Sequence, residues 1–215
     1  MVCQSRYNII TSGGGFSEYY DQPAYQKAAV AGYLAAVKGT TKEPVAGFDA
    51  TKRAYPDVSL AGANYRVYIG GEAYGLYGTS ASAPAVAGLF SNINAVRLAA
   101  GKGSVGWINP ALYEYGSAFI NDITSGNNKC GAINQNKIPT CCRQGFTAVS
   151  GWDPTTGLGS INYGKMSARL KSSNLELSSL PSSNSRTSHH TLGTCKPFVS
   201  TIPLAMILLL MRCNR

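Results

Sequence analysis

A serine within a run of small residues is the strongest candidate for chemistry in this sequence. Residues 78–84 read GTSASAP and precede an apolar run with helical spacing, so Ser80 is placed at a helix N-terminus. Unpaired backbone N–H groups and the positive end of the helix dipole stabilise a developing oxyanion there. The small Gly78 and Ala81 would leave room for a carbonyl substrate. The alternative is that Ser80 or Ser82 is an ordinary helix N-cap, and the heptapeptide alone does not decide between the two.

A serine nucleophile needs a proton acceptor, and the sequence restricts what that acceptor can be. The two histidines, His189 and His190, lie in a serine-rich stretch near the C-terminus, far from Ser80. A Ser-His-Asp triad within this chain is therefore close to excluded. A carboxylate is the remaining kind of base, and it works only where the pH is low enough to suit its pKa.

Three helices are predicted around this serine. Residues 23–37 are rich in alanine, with proline in the first turn and Gly39 as the C-cap. The apolar run after Ser80 predicts a helix through about residue 100 that ends at Gly101. A third helix is predicted to begin at Asn109 and Pro110, in the N-cap and N1 positions.

Strands, a turn and a long loop are predicted outside the three helices. Residues 55–60 and 65–69 are typical of strands, with Gly70 and Gly71 forming a hairpin turn after the second. Residues 12–17 read SGGGFS and predict a turn that lies close to another part of the chain. The glycine- and asparagine-rich residues 121–160 are expected to be a long loop held by a ligand or a function.

Length and composition indicate one domain followed by a tail. The chain has 215 residues, of which 44% are hydrophobic and 13% charged. Residues 171–197 are expected to be a disordered serine-rich tail. Residues 198–215 form a short apolar tail of uncertain status, whose apolar run is too short for a spanning helix of about 20 residues. The net charge is +9, but no basic run interleaves with aromatic residues, so nucleic acid is not an expected partner.

Three of the six cysteines, Cys130, Cys141 and Cys142, cluster in the long loop. They favour a disulfide in an oxidising compartment over free thiols, with the pairing left open. No charged and then apolar segment opens the chain, so no signal peptide is predicted there. A zinc site is not expected, because no paired C-x-x-C motif occurs.

The sequence resembles the sedolisins, or serine-carboxyl peptidases, over residues 7–167, and it is most similar to their tripeptidyl-peptidase branch. Six short blocks stand in the family's order: SGGGFS at 12–17, RAYPDV at 53–58, GTSASAP at 78–84, NPALY at 109–113, NDIT at 121–124 and GWDPTTGLG at 151–159. The resemblance implies a subtilisin-like α/β fold, with a mostly parallel sheet flanked by helices. It implies peptide hydrolysis at acidic pH through an acyl-enzyme, with Ser80 as the nucleophile.

The resemblance also implies one buried calcium ion per chain. Its ligands would be the carboxylates of Asp122 and Asp153 and the carbonyls of Ile123 and Gly151, with Val149 a further candidate. Calcium prefers such oxygen ligands. The alternative is that Asp122 and Asp153 form Asx turns, which are common in loops of this composition.

Two features of the acidic residues limit the activity that the resemblance implies. The family's base is a glutamate with an aspartate four residues later, but none of the ten acids of this chain forms such a pair. An aspartate before the triple-glycine turn, which donates to the oxyanion, is also absent. Asp57 lies in a stretch that is structural in the family, and we expect it to cap backbone N–H groups.

We therefore expect residues 1–170 to be the C-terminal part of a sedolisin domain and to be inactive alone. The full-length protein is expected to be a monomer that cleaves peptides or unfolded proteins. Its location would be extracellular or an acidic vacuolar or lysosomal compartment, and a membrane is not an expected partner. The alternative function is a non-catalytic calcium-binding or interaction module derived from a peptidase.

Overall fold

Helices and short strands alternate along residues 11–133 and 139–172, the residues that the computed structural model describes. All of them belong to one compact unit. The helices and strands in chain order are β1 (Gly15–Asp21), α1 (Lys27–Val37), β2 (Lys52–Tyr55), β3 (Tyr65–Ile69), β4 (Glu72–Leu76), α2 (Thr79–Ala99), α3 (Asn109–Tyr115), β5 (Ile120–Asn121), β6 (Cys130–Ile133), β7 (Pro139–Cys141), β8 (Ser160–Ile161) and α4 (Tyr163–Ser172), with single 3₁₀ turns at Ala24–Gln26 and Gly116–Ala118.

The three predicted helices are present, with changes at their ends. The C-cap residues of α1 and α2 are Lys38 and Ala100, so Gly39 lies one residue after the C-cap position predicted for it, and Gly101 ends α2 in the same way. Ile108 occupies the N-cap position of α3, so the prediction that Asn109 is the N-cap is wrong. The Asn109 side chain instead donates to the Asp57 carboxylate, a contact that no local pattern indicates.

The predicted hairpin after residue 65 is confirmed, but the preceding strand is displaced. β3 and β4 pair antiparallel around Gly70 and Gly71, with Tyr65 opposite Leu76 and Ile69 opposite Glu72. Residues 55–60 are not a strand, because β2 ends at Tyr55. Pro56 follows at once and has no N–H with which to continue the ladder.

The described strands form four antiparallel pairs: β1 with β2, β3 with β4, β5 with β8 and β6 with β7. The single parallel pairing within residues 11–133 and 139–172 is an isolated bridge between Ser59 and Ser160. The mostly parallel sheet that the resemblance implies therefore stays a prediction.

Two apolar clusters hold the described residues together. The first joins α1 to β1, β2 and the loop before Trp152. Its aromatic rings meet edge-on, with ring centroids 5.9 Å apart for Tyr33 and Trp152 and 5.3 Å apart for Phe48 and Phe146. Such aromatic pairs stabilise beyond the area they bury. The second cluster packs α2, α3 and α4 through seven buried side chains: Ile93, Val105, Leu112, Phe119, Ile161, Met166 and Leu170.

Both tail predictions, for residues 171–197 and 198–215, concern sequence that lies almost wholly outside the described residues. Within the described part, no helix is long and apolar enough to cross a membrane.

Candidate active site and cation site

Ser80 is the second residue of α2 and is exposed to solvent. The helix begins at Thr79, separated from the end of β4 by two residues, and the N–H groups of Thr79 and Ser80 have no acceptor inside the helix, whereas the Ala81 N–H donates to the Gly78 carbonyl at 3.0 Å. Pro84 lies four residues after Ser80 and has no N–H, so the Ser80 carbonyl also lacks its helical donor. A nucleophile at this position combines access for substrate with N–H groups suited to an oxyanion.

The cap alternative for this serine is wrong in this structure. The N-cap residue of α2 is Gly78, and no side chain caps the helix. Ser82 is also not a cap, since its hydroxyl donates to the Ala61 carbonyl at 2.8 Å. The Gly78 N–H donates to the Gly62 carbonyl at 2.8 Å. The turn that carries Ser80 is thus tied to residues 61–62 on both sides of the serine, while Ser80 itself remains exposed.

The described residues give Ser80 no base. The two ion pairs found among them join Lys52 to Asp21 and Arg53 to Asp57. No hydrogen bond within residues 11–133 and 139–172 joins the Ser80 hydroxyl to a carboxylate. That this chain lacks its base stays a prediction from its acidic residues.

Asp57 is the centre of a side-chain network, so the prediction that it caps backbone N–H groups is wrong. Its carboxylate accepts hydrogen bonds from Arg53 at 2.6 Å, Tyr113 at 2.9 Å, Asn109 at 3.0 Å and Gln26 at 3.3 Å. Burial, followed by the Asp57 charge, raises the pKa of Tyr113, so this tyrosine stays a neutral donor. The i,i+4 spacing of Arg53 and Asp57 is the one sequence signal that pointed to this network.

The segment predicted as a turn at residues 12–17 instead leads into a strand, since β1 begins at Gly15. It lies against the loop at residues 151–159, and this close approach is what its composition predicts. A side chain at Gly14 would overlap the Pro154 carbonyl. Ser12 donates to the Thr155 carbonyl at 2.9 Å. The other side of the same loop is equally close, because a side chain at Gly157 would overlap the Asp57 carbonyl. The 151–159 loop is therefore held tightly between two segments.

The four residues expected to bind calcium are brought together. Asp122 Oδ2 accepts the Gly151 N–H at 2.8 Å. The Thr156 hydroxyl lies 3.1 Å from Asp153 Oδ1 and 3.5 Å from the Ile123 carbonyl. Val149 is adjacent as well, since its N–H donates to Asp153 Oδ2 at 3.2 Å. The ligand atoms expected from this set are all oxygens, which suits a hard divalent cation.

The Asp153 carboxylate provides a test of whether a cation fits. Asp153 is 0% exposed, and burial raises its pKa to about 6. Among the described residues no lysine or arginine forms an ion pair with it. A buried carboxylate is normally paired or coordinated to a metal, so the charge of this site fits a cation.

The Asx-turn alternative is correct for the geometry of Asp153. Asp153 Oδ1 accepts the N–H groups of Thr155 at 2.9 Å and Thr156 at 2.8 Å. With the Val149 N–H and the Thr156 hydroxyl, four protons fill the roughly four acceptor positions of the carboxylate. The Thr156 hydroxyl is the only one of these donors that can rotate away. Asp122, by contrast, forms no such turn and is exposed.

A disulfide is present as expected, and one of the open pairings is settled, while Cys142 is disulfide-bonded as well. Cys130 on β6 is bonded to Cys141 on β7, directly opposite in the antiparallel register. The bond links the two strands of this pair within the long loop.

Comparisons with known proteins show which family the chain is similar to. No protein-family model matches the chain. Physarolisin of Physarum polycephalum is 39% identical over 172 residues, which cover 78% of this chain and 28% of that protein. Aorsin of Aspergillus oryzae is 43% identical over 164 residues, or 72% of this chain and 24% of its own length. Tripeptidyl-peptidase sed1 of Aspergillus fumigatus is 40% identical over 163 residues, with coverages of 71% and 24%.

A solved structure gives the same result. Pseudomonas sedolisin, a serine-carboxyl proteinase complexed with two molecules of pseudo-iodotyrostatin, superposes with a TM-score of 0.51 at 27% identity. The match covers 75% of this chain and 37% of that one. The chain spans about a quarter of the length of the curated relatives that it matches. The chain belongs to the sedolisin family of serine-carboxyl peptidases.

Proposed function

We propose that this chain carries the nucleophile and the cation site of an acid-active serine peptidase of the tripeptidyl-peptidase type. The observation that carries the proposal is the position of Ser80. It is exposed, it is the second residue of a 21-residue helix, and small residues surround it. A relative matched over this region is itself named a tripeptidyl-peptidase.

The proposed reaction is acyl transfer in two steps. The Ser80 hydroxyl oxygen attacks the carbonyl carbon of a peptide bond, and its proton passes to a carboxylate base. The C–N bond then breaks, the amine leaves with that proton, and an ester remains on Ser80. Water hydrolyses the ester in the second step, so that the acid product leaves and the hydroxyl is restored. The N–H groups at the start of α2 would stabilise the negative oxygen in both steps.

The base of this reaction is proposed to come from residues outside this chain. None of the ten acids has the Glu-x-x-x-Asp spacing, and none contacts Ser80 in the described residues. General base catalysis contributes about 10²–10⁴-fold. The chain by itself is therefore expected to be inactive, while the whole protein cleaves peptides or unfolded proteins.

The cation site is proposed to hold one calcium ion. Asp122, Asp153 and the carbonyls of Ile123 and Gly151 would bind it, and the Thr156 hydroxyl would have to turn away from Asp153. Bound calcium would supply positive charge that compensates the buried carboxylate and fixes two loops to each other. Its proposed role is structural, with no part in the bond-breaking steps.

The proposed location follows from the same chemistry. A carboxylate base works at acidic pH, as found outside cells or in vacuoles and lysosomes. The disulfide between Cys130 and Cys141 agrees with an oxidising compartment.

A chimeric enzyme tests the proposal directly. Residues 7–167 would replace the matched segment of tripeptidyl-peptidase sed1, to which this chain is 40% identical. Release of tripeptides would be measured at about pH 4, near the ordinary pKa of a carboxylate base. The chimera is expected to be active, its Ser80→Ala variant inactive, and the 215-residue chain alone inactive.

A matched control separates the nucleophile from another serine of the same helix. Ser91→Ala removes an exposed hydroxyl from α2 and should retain turnover in the chimera. A folded chimera with no activity would instead favour a non-catalytic calcium-binding or interaction module. Turnover by the chain alone would disprove the inactivity that we expect.

A further inference from the structure

One short segment, residues 57–62, connects the loop at residues 151–159, named the cation loop, to the turn that carries Ser80. At its first end the Asp57 carbonyl accepts the Leu158 N–H at 2.9 Å, and the Ser59 N–H donates to the Gly159 carbonyl at 2.9 Å. At its other end the carbonyls of Ala61 and Gly62 accept hydrogen bonds from Ser82 and Gly78. We name residues 57–62 the connector.

The Asp57 side chain fixes the first end of the connector to the helices around it. Its four donors come from Gln26 before α1, Arg53 on β2, and Asn109 and Tyr113 on α3. The Gln26 amide also donates to the Ala54 carbonyl at 2.8 Å and to the Tyr113 hydroxyl at 2.6 Å. Hydrogen bonds to a charged group are the strong ones, so this end is held firmly.

The second end of the connector is held by much less. Its described contacts are the hydrogen bonds from Gly78 and Ser82 and one from the Tyr65 hydroxyl to the Ala61 carbonyl at 2.6 Å. Gly62 is itself buried, while its neighbours Ala61 and Ala63 are exposed and half-buried. The position of the Ser80 turn therefore depends on an anchor that lies at the opposite end of the connector.

We propose that Asp57 is a positioning residue for Ser80, because its carboxylate fixes the connector on which the Ser80 turn rests. It touches neither substrate nor the reacting atoms, so it acts through residues 58–62. Its importance for catalysis rests on the function proposed above. The coupling itself exists whether or not Ser80 is the nucleophile, and it can be measured without activity.

Amide hydrogen exchange on the 215-residue chain measures this coupling. The reporter is the Gly78 amide, which donates to the connector at Gly62. The reference is the Met166 amide in α4, a buried residue whose N–H donates to the Asn162 carbonyl. Asp57→Asn replaces one accepting carboxylate oxygen with an amide N–H₂ group, which faces donors that need an acceptor. It should speed exchange of Gly78 on the order of tenfold, the change expected from losing one hydrogen bond to a charged group.

The reference amide separates coupling from general destabilisation. The proposal predicts that Asp57→Asn speeds Gly78 by clearly more than Met166. Equal acceleration of both amides would mean only lost stability and would overturn the proposal, as would an unchanged Gly78. Asp21→Asn is the matched control, since it breaks the exposed ion pair with Lys52, and both amides should keep their exchange rates.

A double-mutant cycle provides a second, independent readout. Ser82→Ala cuts one hydrogen bond between the connector and α2. If Asp57 acts through the connector, Asp57→Asn should accelerate Gly78 less in the Ser82→Ala background than in the parent. Strict additivity would overturn the proposal. Should Asp57→Asn fail to fold, Asn109→Ala removes a single donor and is expected to give the same pattern at smaller amplitude.

Discussion

The cation loop and the Ser80 turn differ in how the described residues hold them. Around the loop, Asp153, Thr155 and Thr156 are buried, and the Asp153 carboxylate is fully hydrogen-bonded within its own loop. Around the turn, several large apolar side chains of the β3–β4 hairpin are exposed: Tyr68, Ile69, Tyr74, Leu76 and Tyr77. Only Ile93 and Arg97 are fully buried on α2, although the helix is rich in apolar residues.

This difference shows that the two candidate sites depend on different parts of the protein. The cation loop is determined by contacts inside residues 11–159, so single substitutions within the chain should disrupt it. Clustered exposed apolar side chains are typical of surfaces that pack against further protein. We expect the Ser80 half to pack against further protein.

The largest expected effect on stability comes from replacing Trp152, the buried tryptophan of the cation loop. Trp152 is 3% exposed, packs against Tyr33 and donates to the Pro56 carbonyl at 3.0 Å. Trp152→Ala should lower the free energy of unfolding by about 3–5 kcal/mol. Urea denaturation measures it. The matched control is Trp107→Ala, which removes a 62% exposed tryptophan and should cost less than about 1 kcal/mol. Equal effects would contradict the distinction between the regions.

Removing the Asp57 carboxylate should have the next largest effect on stability. Asp57→Ala leaves the Arg53 guanidinium and three neutral donors without their acceptor. A loss of about 3 kcal/mol is expected from these unsatisfied donors, because the side chains of the pair are only 23% and 18% exposed. Asp21→Ala breaks an ion pair whose aspartate side chain is 88% exposed and should cost less than about 1 kcal/mol. Thermal and urea unfolding of both variants would show whether this ranking holds.

Calcium should stabilise the cation loop specifically. At a concentration 100 times its dissociation constant, a ligand of the folded state adds about 2.7 kcal/mol to the free energy of unfolding. Calcium should therefore raise Tm, and Asp153→Asn or Asp122→Asn should abolish the rise. Glu72→Gln, at an exposed acid in the hairpin, should leave the calcium response intact. A response that survives Asp153→Asn would place the ion elsewhere.

The smallest effect is expected in the hairpin. Ile69 is exposed beside the turn of the hairpin, whereas Ile93 is 1% exposed in the second cluster. Ile69→Ala should change the free energy of unfolding of this chain by no more than about 0.5 kcal/mol, while Ile93→Ala should cost about 2–5 kcal/mol. A large effect at Ile69 would show that the hairpin already packs against the described residues.

Local signals predicted the helices and the hairpin because each has its own chemistry. Gly39 and Gly101 lie just past the helix ends, and Gly70 and Gly71 formed a tight turn. The strand expected at residues 55–60 failed, because Pro56 ends β2 and Asp57 collects donors from two distant segments, the turn before α1 and α3. The small residues and the helix start around Ser80 were predicted. The hydrogen bond from Ser82 to the Ala61 carbonyl was not, because it joins residues 21 apart in the sequence.

The candidate cation site shows the same limit of local reasoning. The oxygen donors around Asp122 and Asp153 were expected together, and they are together. The saturation of Asp153 by its own loop was visible only as the Asx-turn alternative. The partner of Cys130 was left open, because three cysteines within 13 residues permit more than one bond and strand register decides between them.

Trapping the acyl-enzyme in the chimera tests the central claim most directly. Acid quenching during turnover of a tripeptide-releasing substrate, followed by proteolysis and mass spectrometry, locates the ester. The expected result is an added tripeptidyl mass on Ser80 and none on Ser82, with no adduct in the Ser80→Ala variant. Continued product release by the Ser80→Ala chimera, or an adduct on another residue, would contradict the assignment of Ser80 as the nucleophile.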